Sequence, residues 1–229
     1  MSFITSPGVI VPPLTAGGVA YGTGSQAKMN NAGTVGQALL SGGAGVPTWG
    51  QAGSFTLLST VTANNSATVD VESTFNSTYD AYLMIASGVT PQNNNTGMRM
   101  EMKLSGSYVT SSTYLWFYQN AIQSSLTFGF SSSTTSDTNI QINNGFQGNA
   151  ASDGLDFQLS VYNPSNTSFF KLINWTGVSY MSSVPRLQGF SGFGVNNGSG
   201  AALTGLRFYF ASGNIKNGSF RLYGIANTQ

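Results

Sequence analysis

The chain has 229 residues, of which 15 are charged (Lys and Arg 8, Asp and Glu 7), or 7% against about 25% in ordinary globular proteins. It holds no Cys and no His, which excludes a Cys/His zinc site, a Ser-His-Asp triad, a Cys nucleophile and a disulfide frame. A net charge of +1 leaves no electrostatic footprint for nucleic acid, and no apolar run approaches the ~20 residues of a membrane helix, so neither a nucleic-acid partner nor membrane insertion is expected.

The start, Met1-Ser2-Phe3-Ile4-Thr5, lacks a positive region and a long apolar core, so no secretory signal is expected there. Residues 1–53 hold one charge, Lys28, with four of the seven Pro and twelve of the 29 Gly. Ser6-Pro7-Gly8-Val9-Ile10-Val11-Pro12-Pro13 reads as extended chain, because Pro fixes its own φ and restricts the residue before it. Gly17–Gly24 and Gly42–Gly50 follow. So little side-chain surface, and so much glycine entropy, cannot fold alone. The expectation is an extended arm over 1–53, ordered by winding around sister chains or by docking on a larger particle.

From Ser54 onward the period is two. Strands are expected at Phe55–Thr62, Ala67–Val71, Asp80–Ser87, Met98–Leu104, Thr113–Tyr118 and Leu126–Phe130. More follow at Thr138–Ile142, Leu155–Val161, Ser168–Asn174, Leu187–Phe193, Leu206–Phe210 and Ser219–Ile225. Met98, Met100, Met102 and Leu104 share one face, and Arg99, Glu101 and Lys103 the other. The breaks carry turn residues, among them Asn64-Asn65, Asn93-Asn94-Asn95, Asn143-Asn144-Gly145 and Asn217-Gly218. No long helix is expected. With 15 Phe, 10 Tyr and 3 Trp the chain is too aromatic for a disordered coil. The fold class is all-β: residues 54–229 form an antiparallel β-sandwich of jelly-roll type, with an up-and-down barrel as the alternative. So few surface charges point to a homo-oligomer that buries part of its surface.

Little in the chain suggests catalysis. Asp70 and Glu72, at i and i+2, project from one strand face roughly 7 Å apart, a spacing seen in glycoside hydrolysis. Two solvated side chains on an outer face are the plainer reading. Asp153-Gly154-Leu155-Asp156 could hold a calcium ion together with backbone oxygens, but two carboxylates in a loop are a weak signal for one. Gly17–Gly24 and Gly189–Gly194 lack the Lys or the following helix of a phosphate loop. Tyr114-Leu115-Trp116-Phe117-Tyr118 must place some rings outward, where aromatics serve as interface anchors or stack on sugars. Arg207 and Arg221 are expected to order a sheet surface or to pair with Asp or Glu. No catalytic residue, metal or cofactor is assigned, and the chain is not expected to be an enzyme.

Two stretches carry a resemblance. Gly17–Gly24, Ala32-Gly33-Thr34-Val35-Gly36-Gln37-Ala38-Leu39 and Gly43–Trp49 resemble the glycine-rich modules of bacteriophage tail fibres and other virion appendages. Leu57–Ala63, Ser77–Leu83 and Gly213–Ile225, which includes Arg221-Leu222-Tyr223-Gly224, look like the C-terminal β-domain of such proteins in marine and cyanobacterial phages. The resemblance implies a homotrimer on the phage virion, assembled with other virion proteins of the tail, baseplate or capsid. As a short fibre or spike, it would hold a host surface glycan through outward loops at Asn93, Asn94 and Asn95, Ser131, Ser132 and Ser133, and Asn196 and Asn197. As a capsid decoration or head fibre, it would anchor through Phe3, Ile4, Val9, Ile10, Val11, Pro12 and Pro13.

Overall fold

The computed structural model describes residues 13, 15–24, 26–34, 37–51, 55–72, 75–123, 125–133, 135–145 and 147–225. Its contacts divide the chain into two units, Met1–Thr56 and Leu57–Gln229. Among the described residues the regular elements are all strands, in antiparallel sheets.

The first unit holds two short ribbons where the sequence suggested extended chain. Strands β1 (Ala20–Gly22) and β2 (Ala27–Met29) pair around a turn closed by the Thr23 N–H on the Gln26 carbonyl at 2.8 Å. Strands β3 (Gln37–Leu40) and β4 (Thr48–Gln51) pair around Gly42–Gly45. The two ribbons are tied together, because Asn30 Nδ2 donates to the Pro47 carbonyl at 2.6 Å and Trp49 Nε1 to the Asn31 carbonyl at 2.5 Å. The glycines that made this segment look like linker supply its turns.

The second unit is an all-β, sandwich-like body. Its strands are β5 (Phe55–Ser66), β6 (Val69–Glu72), β7 (Ala81–Pro91), β8 (Met98–Leu104), β9 (Ser107–Tyr108), β10 (Tyr114–Ile122), β11 (Thr127–Ser132), β12 (Ile140–Gln141), β13 (Gly154–Tyr162), β14 (Lys171–Met181), β15 (Arg186–Asn196), β16 (Leu203–Phe210) and β17 (Ile215–Ile225). The larger sheet runs β11-β10-β15-β14-β13-β7-β17-β5. The smaller runs β12-β8-β16-β6, with β9 paired to β8.

Side chains alternate as the period of two predicts. Met98, Met100, Met102 and Leu104 are buried, as are Leu155, Phe157, Leu159 and Val161 from the facing sheet. The sheets meet through rings: Phe208 lies 5.9 Å from Phe157 and 5.3 Å from Phe220. Buried rings with polar tips find partners, as they must. The Tyr114 hydroxyl donates to the Val109 carbonyl at 3.0 Å and accepts from the Met102 N–H at 2.8 Å. Trp175 Nε1 donates to the Ile142 carbonyl at 2.9 Å.

Glycines in β15 make room for this. A Cβ on Gly192 would sit 2.4 Å from the Trp175 ring, and one on Gly194 would sit 2.8 Å from Ile140. The Gly189–Gly194 run is therefore a packing feature. Gly88, at φ +62°, forms a bulge in β7 where the register against β13 shifts, and its N–H reaches Asp156 Oδ1 at 2.6 Å.

Asn65, Asn95 and Asn163 take the positive φ that turns require. The expected strand at Thr138–Ile142 is reduced to two residues, and the one expected from Ser168 begins only at Lys171. The reason is Lys171 itself. Its wholly buried ammonium donates to the carbonyls of Asn166, Phe169 (2.8 Å) and Gly200 (2.9 Å), and that cage draws the preceding chain into a loop.

Candidate functional site

Alternation leaves two outer faces, and they are chemically unlike. On the larger sheet, cross-strand register sets Leu115, Val195 and Leu172 in one row, and Phe117 and Phe193 in the next. Phe117 stacks between Phe130 and Phe193, with ring centroids 5.9 and 5.5 Å apart. Leu115, Phe117, Tyr162, Leu172, Phe193 and Val195 line a shallow apolar groove of about 590 Å³. A neutral belt of Gln119, Ser191 and Thr176 follows, and beyond it Phe128, Val178, Tyr180 and Leu187 form a second apolar strip.

These are not incidental exposures. Phe128 is 81% exposed, Phe130 69%, Leu172 61% and Phe193 60%. No outward side chain of β10, β11, β14 or β15 is charged. At about 200 Å² for a large apolar side chain, the two strips together offer on the order of 900 Å² of exposed apolar surface. Among the described residues strand β11 is also the end strand of its sheet, and it carries Phe128 and Phe130 with no charge or Pro.

The outer face of the smaller sheet is the opposite. Six of the fifteen charged residues stand on it: Asp70, Glu72, Arg99, Glu101, Lys103 and Arg207. Arg207 binds Asp70 with two parallel bonds, Nε to Oδ1 at 2.9 Å and Nη2 to Oδ2 at 2.8 Å. Lys103 reaches Glu72 at 2.9 Å across Gly205, the residue between them in the register. A Cβ at Gly205 would sit 3.3 Å from both Glu72 Cγ and Lys103 Cβ, so a side chain there would crowd the pair. The Tyr108 hydroxyl donates to Glu72 at 2.5 Å, and the Arg207 guanidinium lies 3.7 Å above the Tyr108 ring. The Tyr209 hydroxyl donates to Glu101 at 2.9 Å.

These contacts decide protonation. Burial pushes the Asp70 carboxyl up, but the Arg207 hydrogen bonds and charge outweigh it and hold it below its ordinary range. The Lys103 and Tyr108 hydrogen bonds lower Glu72. Burial and the Glu72 bond raise Tyr108. A general acid must keep its proton near neutrality, and neither carboxylate of this pair is placed to do so. Asp153 and Asp156 are likewise engaged: Asp153 accepts from the Ser182 N–H at 2.8 Å and the Ala150 N–H at 3.1 Å, and Asp156 from Gly88. Among the described residues no three acidic or metal-ligating side chains gather around a point.

The residues singled out in the sequence fall in different places. Phe3, Ile4, Val9, Ile10, Val11 and Pro12 lie outside the described residues, and Pro13 is exposed. Asn93, Asn94 and Asn95 are exposed in a loop pinned on two sides. Asn93 Nδ2 donates to Ser212 Oγ at 2.7 Å, the Asn149 N–H to Asn94 Oδ1 at 2.8 Å, and the Asn95 N–H to the Gln147 carbonyl at 2.8 Å. Ser131 and Ser132 are not in a loop; they end edge strand β11, and the Ser133 hydroxyl accepts from the Trp116 N–H at 3.0 Å. Asn196 does not face outward either. It closes β15, is wholly buried, and donates from Nδ2 to Thr113 Oγ1 at 2.9 Å; Asn197 beside it is exposed. Polar type suggested a loop, but hydrogen-bond demand draws Asn196 in.

The chain matches no protein-family model and shows similarity to no curated protein and no solved structure.

The sequence singled out none of Phe128, Phe130, Leu172 or Phe193 as functional. A signal was present in the dense Tyr114–Tyr118 run, which alternates as expected: Tyr114, Trp116 and Tyr118 point in, Leu115 and Phe117 out. What it lacked was the set of neighbouring strands.

Proposed function

We propose that this chain is a non-enzymatic structural component of a phage particle, working as a homotrimer built on the uncharged apolar face of its larger sheet. The observation that carries the reading is that face. Its area is comparable to the roughly 800 Å² per partner of a standard interface, and being neutral it can meet identical copies without repulsion. Further copies of this chain are therefore its fitting occupants.

The jelly-roll reading belongs here too. Eight strands pair as nested couples, β5 with β17, β6 with β16, β7 with β13 and β8 with β12. They alternate between sheets in the order β5-β17-β7-β13 and β6-β16-β8-β12, the winding expected of a rolled hairpin with two Greek keys. Strands β14 and β15, then β10 and β11, extend one sheet beyond it, and it is this extension that carries the apolar face. The resemblance to virion appendages supports the particle, with residues 1–53 attaching the head to tail, baseplate or capsid proteins. The same resemblance supports a short fibre or spike whose head meets a host surface glycan. A capsid-decoration role is the second reading, favoured by the apolar run Phe3–Val11.

Light scattering tests the assembly: a stable mass near 72 kDa, three times 24.0 kDa, is expected, and a monomer at all concentrations overturns it. Gold-labelled antibody on intact virions tests location. Label at the tail supports host contact, label over the head supports decoration, and an unlabelled particle overturns both.

A further inference from the structure

A polar furrow runs along the β12 edge of the smaller sheet. Its centre is one row across three strands, Gln141 on β12, Arg99 on β8 and Tyr209 on β16. Two recesses, of about 470 and 250 Å³, share Arg99, Gln141 and Ala211 and so form one continuous furrow. One recess extends to Asp137 and Asn139, the other to Asn143 and Asn144.

The row is held in place. Arg99 Nη1 donates to Gln141 Oε1 at 2.5 Å, and Gln141 Nε2 donates to the hydroxyl of buried Tyr118 at 3.1 Å. At the far side, Trp116 Nε1 fixes Asp137 through Oδ2 at 2.8 Å. Such supporting bonds preorganise polar groups for a ligand. One group in the wall is incomplete: Asn143 is wholly buried, its Oδ1 accepts from the Met98 N–H at 2.8 Å, and its Nδ2 has no protein partner. A buried donor in that state is expected to be met by water or ligand.

The lining selects a chemistry. Among the described residues that line it, Ala211 is the sole aliphatic side chain, so an apolar peptide anchor has nowhere to sit. Arg99 and Asp137 are its one cation and one anion, so it offers no field for a polyanion. Carboxamides make up much of the remainder, and each presents donor and acceptor in one plane, which suits adjacent hydroxyls. We propose that this furrow binds a neutral oligosaccharide of hexose or N-acetylhexosamine units. The inference rests on the host-glycan reading above and places the contact in the furrow, with Asn95 at its rim. Three furrows on one trimer would add avidity to a weak single site.

The test is calorimetric titration of the full chain with maltohexaose, cellohexaose and chitohexaose to about 10 mM, tenfold above a Kd of about 1 mM expected for one weak site. Saturable binding of at least one is expected. Asn139→Ala and Gln141→Ala should each weaken it about tenfold, whereas Gln158→Ala, on the outer face of the larger sheet, leaves it unchanged. Asn139→Ala removes no cross-strand bond, so it remains informative if Gln141→Ala unfolds. No saturable heat with any of the three sugars overturns the proposal, as does binding that both furrow variants leave intact. Mass by light scattering on the same samples reports the assembly separately, so either reading can fail alone.

Discussion

The two outer faces of the sandwich are built by the same rule and end as opposites. Both are the second half of a period-two pattern whose first half is core. On the smaller sheet the outward positions hold six charged residues paired across strands. On the β10, β11, β14 and β15 part of the larger sheet they hold Leu, Phe, Val and Tyr without one charge. A chain with fifteen charges does not scatter them; it concentrates many on one face. The difference teaches that low charge here is a property of one surface. The charged face satisfies itself within the molecule. The apolar face stays exposed among the described residues.

The largest expected effect comes from putting charge where there is none. Phe117→Asp with Phe193→Asp should reduce the proposed trimer to its 24.0 kDa chain. Two rings at about 2 kcal/mol each correspond to roughly a thousandfold weaker association per interface. Light scattering reads the mass, and an unchanged trimer would show that another face holds it. Because both rings lie outside the core, far-UV circular dichroism should remain that of the folded sandwich.

The next effect comes from the other face. Arg207→Met removes both bonds to Asp70 and the cation over Tyr108. Urea unfolding should show a loss of about 1 kcal/mol, as befits a partly exposed pair, with assembled mass unchanged. A change in mass would break the division between a self-satisfied face and an assembling one.

Acid should separate the faces less strongly. Asp70 and Glu72 are held below their unfolded values of 3.8 and 4.5. Their contribution is therefore complete above those values and is lost as pH falls through the lower folded ones. Stability should hold level from pH 7 to near 5 on their account and decline below about 4. Assembly through the apolar strips should not change between pH 5 and 8, because no side chain in them titrates there. The smallest effect is that of salt. At about 1 M NaCl the ion pairs should lose a few tenths of a kcal/mol to screening, while association stays constant or tightens.

Much of the fold could be read from residues alone. Met98–Leu104, Leu155–Val161 and Leu206–Phe210 alternate so regularly that their buried faces follow from spacing, and those faces are the core. Asn95 marks a turn because Asn tolerates positive φ. The expectations that failed share a cause. Residues 1–53 read as an extended arm because glycine-rich chain buries little side chain, but within it paired strands over 20–51, with bonds at Asn30 and Trp49, place glycines at their turns. Asn196 was expected in an outward loop, because the partner that allows its burial, Thr113, belongs to another segment.

The sequence by itself determined that the protein is all-β, which positions face inward, and which chemistries its composition denies. Those properties depend on local period and residue type, which no distant contact alters. Only the tertiary structure decided what the outward positions become. Whether Phe193 is a lone exposed ring or the middle of an uncharged surface depends on β10, β11 and β14 lying beside it. Whether Asp70 is a free carboxylate or half of an ion pair depends on a residue 137 positions away. Strand order joins such residues, and it is set by the mutual burial of all the strands at once.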